Sequence, residues 1–234
     1  MINELDLKYA YFKEEDPIKR MLKYEIYVRK EKKNPFVELN NYFLIKENQE
    51  VYMCNRFLRI YKALVRGENI ELWQSFSGTE IERLNWLLSD DIYNQYQVNQ
   101  NKVLQEYALL CNSVGNYIVY PKNAQFYINK DINEESQISE LNNFYKAQEE
   151  YFWGIFGQTL ECINYNYEKN SELIKYLNGN NFEDFLNNNH LEEFYQQKDL
   201  FNWLPFRLNI NDVEDKIKIL NDLMKKRTND LIKK

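Results

Sequence analysis

His190 is the only histidine in the 234 residues, and that alone removes most catalytic schemes. A Ser-His-Asp or Cys-His unit would have to use it, and a metal site would have a single imidazole. It follows three asparagines and precedes LEEF, where a helix start and a surface or capping histidine are expected. Cys54, Cys111 and Cys162 lie far apart, with no CxxC pair and an odd total. Buried, reduced thiols fit that spacing better than a disulfide framework or a zinc site. Asp90 with Asp91 and Glu192 with Glu193 are adjacent pairs. Neighbours on a helix diverge by about 100°, so neither pair aims two carboxylates at one metal or one scissile bond. Solvated helix ends are the expected role. No phosphate-cradling Gly-rich loop, HExxH, GxSxG or EF-hand loop occurs. The reading is therefore no catalytic residue, no metal and no cofactor.

One charge pattern has direction. Arg56, Arg59, Lys62 and Arg66 fall on one arc of a helical wheel, and Phe57, Ile60, Tyr61 and Leu64 fall on the other. Such an arc can neutralise several phosphates or dock on an acidic protein surface, and Tyr61 and Trp73 would offer stacking faces if exposed. A solvated face is the plainer expectation. The net charge of -6 and a sequence pI near 5.1 oppose non-specific nucleic-acid binding, because counterion release needs a basic surface.

The elements that would position these residues follow from periodicity. Six Gly and four Pro are few for this length, which favours long helices over turn-rich sandwiches and propellers. Helices are predicted from Asn55 to Gly67, from Thr79 through EIERLNWLLSDDIYNQYQ, over 100–111, over 136–167, over 171–177, 181–187 and 190–200, and from Asp212 to Lys233. In the last of these an acidic start and the KKR at 225–227 complement the helix dipole, and the basic residues are read as solvated. Leu22, Tyr24, Ile26 and Val28 alternate with Lys23, Glu25, Tyr27 and Arg29, which predicts a strand over 22–29. β-branched and aromatic residues crowd between Gly115 and Pro121 and again at 126–128, which predicts a hairpin closed through PKNA.

The segment SVGNYIVYPKN, Ser113 to Asn123, resembles the Gly-Asn, strand, Pro-Asn element of a family of uncharacterised bacterial proteins, where it precedes a helix carrying a DLTLECI-like stretch. The counterpart here is Gly157-Gln158-Thr159-Leu160-Glu161-Cys162-Ile163, and DPIKRMLKYEIYVRKEKKNPFVEL is similar to that family's opening segment. Trp153, Gly154 and Gly157 stand in the region where the family places an Arg and an Asp. The resemblance implies a single folded unit and no particular activity. The same Gly-Asn element resembles a short piece of HNH-type nucleases that accompany restriction-like systems. Those need a histidine base and metal ligands upstream, and no histidine precedes residue 190. Gly115, Asn116, Pro121 and Asn123 are accordingly read as a structural turn motif.

Together these readings predict an α+β, predominantly helical single domain over residues 1–234 with a small antiparallel hairpin or sheet. A mean hydropathy of -0.70, no long apolar run and an acidic, interrupted amino terminus predict a cytoplasmic protein with no membrane segment. The function expected is a non-catalytic binding or inhibitor protein with a protein partner, of the kind found in phage–bacterium conflict. A nucleic-acid-binding or nucleic-acid-processing protein using the Arg56, Arg59, Lys62 and Arg66 arc is the alternative.

Overall fold

The computed structural model describes residues 15–31, 43, 45, 49–53, 57, 60, 61, 64, 82, 85, 86, 88, 89, 93, 94, 100–121, 164, 179–197 and 210–233. They are mostly helical. The chain resolves into two compact units, each assembled from three segments: 1–38, 56–116 and 205–228 in the first, 39–55, 117–204 and 229–234 in the second. No single cut along the chain separates them.

In the first unit α1 spans Pro17–Glu31. The strand predicted over 22–29 lies inside it. The alternation in that stretch overlaps a helical one: Ile18, Met21, Leu22 and Glu25 recur at three- and four-residue steps and are buried together. The start is set by Asp16, whose Oδ1 accepts from the backbone N–H groups of Ile18 at 2.8 Å and Lys19 at 3.2 Å. Pro17 follows, where its missing N–H loses nothing.

α2, Lys102–Leu110, begins where the Asn101 side chain accepts from the Leu104 N–H at 3.0 Å, and it packs against α1. Leu104, Tyr107, Ala108 and Leu110 form its buried face. Phe57, Ile60, Tyr61 and Leu64 are helical and buried, as their spacing predicts. The Phe57 ring lies 5.8 Å from Tyr107 and 6.5 Å from Tyr61, which in turn lies 6.2 Å from Tyr93. Each such side chain contributes about 1.5–3 kcal/mol on full burial. The helix predicted to run on from Thr79 is interrupted. Glu82, Asn85 and Trp86 are helical, but the Ser89 hydroxyl donates to the Trp86 carbonyl at 2.7 Å in a turn at Leu88 and Ser89, and helix is described again at Tyr93 and Asn94.

α2 runs into a turn and a short 3₁₀ segment, Val114–Asn116. The longest described helix, α5, spans Ile210–Ile232 and buries Ile217, Leu220, Asn221, Met224, Arg227 and Thr228 within the first unit.

In the second unit β1, Gln49–Met53, pairs antiparallel with β2, Tyr117–Pro121, with Val51 opposite Val119 and Gln49 opposite Pro121. β2 is the strand the sequence predicts. Its described partner is the distant segment 49–53; the predicted partner, 126–128, lies outside the described residues. Tyr117, Ile118 and Val119 are all buried, so neither face of β2 carries the polar alternation that would signal a local hairpin.

α3, Phe182–Asn189, and α4, Glu192–Gln196, pack on each other around a tight corner. Asn181 caps α3 by accepting from the Asp184 N–H at 2.8 Å, and the Asp184 carboxylate accepts from the N–H of Asn180, one residue before the cap, at 3.3 Å. The Phe182 and Tyr195 rings meet edge to face at 4.9 Å across the corner.

Candidate functional site

Among the described residues, buried polar groups gather in the turn that follows α2 and on the face of α5 against it, at Asn112, Ser113, Asn116, Arg227 and Thr228. The turn first bonds within itself. The Ser113 hydroxyl donates to the Leu110 carbonyl at 2.7 Å, the Asn116 N–H to the Ser113 carbonyl at 3.0 Å, and the Asn116 Nδ2 to the Cys111 carbonyl at 2.8 Å. It then takes partners from α5. Gly115 N–H donates to Thr228 Oγ1 at 3.1 Å, Thr228 Oγ1 donates to the Met224 carbonyl at 2.7 Å, and Arg227 Nη1 donates to the Gly115 carbonyl at 2.7 Å.

Gly115 is required here by proximity. Its φ is not positive. A Cβ at this position would collide with the Met224 carbonyl oxygen and with the backbone N and Oγ1 of Thr228. Gly115 lies in the 3₁₀ turn, and its need for a missing side chain comes from this close approach and not from its φ. Asn116 does bond to backbone as expected, Pro121 closes β2, and Asn123 lies outside the described residues.

α5 also meets α2 one to two turns earlier. Asn221 Nδ2 donates to the Val103 carbonyl and to Glu106 Oε2, both at 3.2 Å, and Lys225 Nζ pairs with Glu106 Oε1 at 2.6 Å. The hydrogen bond to Glu106 raises the Lys225 pKa. The residues read as a solvated KKR therefore divide. Lys225 is tied to Glu106, Lys226 is exposed, and Arg227 is only 2% exposed. They do not form the end of the helix, which continues to Ile232. A signal for Arg227 was present: the buried stripe Ile217, Leu220, Asn221, Met224 steps by three and four onto 227 and 228.

Cys111 is fully buried beside this turn. Burial pushes its thiol well above the ordinary value of 9.0, and the charge of Glu25 pushes in the same direction; hydrogen bonding to Tyr107 and to the Phe57 backbone opposes the shift without reversing it. A thiol held protonated in this way is a poor nucleophile.

The other candidates are placed as follows. His190 caps the end of α3 rather than opening a helix, with φ 52° and ψ 51° in the left-handed region. The Leu191 N–H reaches back to the Leu186 carbonyl at 2.9 Å, the bond of a Schellman closure. Glu192 and Glu193 occupy the first turn of α4, as expected of solvated helix ends. Arg56, Arg59, Lys62, Arg66, Trp73, Asp90, Asp91, Cys54 and Cys162 lie outside the described residues. Among the described residues, no three His, Cys, Asp or Glu side chains gather where they could hold a metal, and no helix is long and apolar enough to cross a membrane.

No family model matches this chain, and it matches no curated protein and no solved structure.

Proposed function

We propose that the protein acts by binding a protein partner, without catalysis of its own, in the setting of conflict between bacteria and their phages. The observation that favours a protein over a nucleic acid is Tyr61. A strand-binding surface on the Arg56, Arg59, Lys62 and Arg66 arc needs adjacent aromatic faces for bases. Tyr61 has no exposed surface and is packed between Phe57 and Tyr93. The groups most capable of chemistry in the buried turn, Cys111 and Arg227, are sealed from solvent and act in holding the turn. Abundant Tyr and Trp supply anchors suited to a protein interface.

The test is affinity capture of the full chain from its native host. A stoichiometric protein that survives nuclease treatment supports the reading. Recovery that depends on nucleic acid and falls steeply with salt, with a slope flattened by about one unit in Arg59→Ala, favours the alternative. No stoichiometric partner, together with a reproducible turnover abolished by one substitution, overturns the proposal.

A further inference from the structure

The bonds of α5 and of the turn after α2 sort into two kinds. Those of the turn after α2 are local: Ser113 to Leu110, Asn116 to Ser113 and to Cys111. Those of α5 along its exposed side are also local, with Lys218 bridging Glu214 at 3.4 Å and Asp215 at 3.1 Å, and Lys225 reaching Asp222 at 3.6 Å. The bonds that join α5 to the turn and to α2 all span more than a hundred residues, 112 and 113 at Gly115, 115 at Glu106 and 118 at Val103.

We propose that α5 is the closing element of its unit: it forms as a helix before it docks, and the Gly115–Arg227–Thr228 clasp is the last part of this unit to form and the first to open. With 23 residues it exceeds the roughly 12–15 below which an isolated helix is marginal. The local bonds of the turn need no group from α5. Arg227 sets the order of events. A guanidinium leaves water at a high cost unless an acceptor is already in place, so its burial follows the presentation of the Gly115 carbonyl. The close fit at Gly115 works in the same sense, since the clasp forms only when turn and helix are both complete. This inference does not depend on the proposed function.

Folding and unfolding rates of the full chain test it. Thr228→Val removes the acceptor for the Gly115 N–H, and Ala108→Gly weakens α2, which packs on α1. The expected result is unfolding accelerated about tenfold in Thr228→Val with refolding unchanged within about twofold, and refolding slowed in Ala108→Gly. Refolding slowed in Thr228→Val by the full factor of its destabilisation overturns the proposal. Hydrogen exchange on the unmodified chain decides the matter even if a variant fails to fold. The amides of Gly115 and of residues 220–228 should exchange through one opening, about ten times more frequent than the opening that releases Tyr107 to Leu110. A single opening shared by both sets overturns it.

Discussion

The guanidinium of Arg227 donates to the carbonyl of Gly115 at 2.7 Å, across 112 residues of chain, with both residues buried. A buried arginine is costly unless it is hydrogen-bonded, and here it donates to the carbonyl of a residue in the 3₁₀ segment that follows α2. The Gly115 N–H is held by the next residue of the same helix, Thr228.

Both sides of this clasp are sensitive to substitution. Gly115→Ala should destabilise by about 2 kcal/mol or more, because the atoms its methyl would meet are largely helix backbone. Arg227→Met keeps most of the volume but leaves the Gly115 carbonyl without this donor, for a loss of about 1–3 kcal/mol. Urea unfolding with unchanged m-values checks both. A Gly115→Ala variant as stable as the parent would contradict the close approach.

Asp16 serves two partners, capping α1 through Oδ1 and accepting from the Tyr93 hydroxyl through Oδ2 at 2.6 Å. Lys19 lies 4.7 Å from the centre of the same Tyr93 ring. Asp16→Ala should cost about 1 kcal/mol for the cap alone. A double-mutant cycle with Tyr93→Phe should return a coupling of about 1 kcal/mol, and a coupling near zero would separate the two roles.

Alkaline pH should destabilise the protein through Cys111. Its folded pKa is raised above the ordinary 9.0, so the unfolded chain releases the proton first. Stability from this group is fully present below the unfolded value and falls by about 1.4 kcal/mol per pH unit from there up to the folded one. Stability measured from pH 8 upward should fall more steeply in the parent than in Cys111→Ala. Parallel curves would mean that the thiol ionises as readily folded as unfolded.

At His190 the left-handed backbone favours glycine over any residue with a Cβ. Compared with each other, His190→Gly should be more stable than His190→Ala by about 1 kcal/mol, a comparison in which both variants lose the imidazole. Thermal unfolding midpoints report the difference directly, and equal midpoints would count against strain at this corner.

Much of the helical content was legible from spacing alone. Phe57, Ile60, Tyr61 and Leu64, the face of α2, and the run of α5 all show three- and four-residue steps, because a helix is specified within one or two of its own turns. α1 was legible too, in Asp16 and Pro17, but the alternation from Leu22 to Val28 masks it, since a short stretch can satisfy a period of two and a period of 3.6 at once. Three features rest on tertiary structure. β2 carries apolar residues on both faces and so names no partner; β1 is chosen by packing. Gly115 has an ordinary φ, and its need for a missing side chain exists only because α5 lies against it. Arg227 looks like any solvated basic residue until the helix docks, and then the same physics that keeps arginines in water holds it to the Gly115 carbonyl. Local conformation is encoded in neighbouring residues, whereas a contact across 112 residues depends on which surfaces meet.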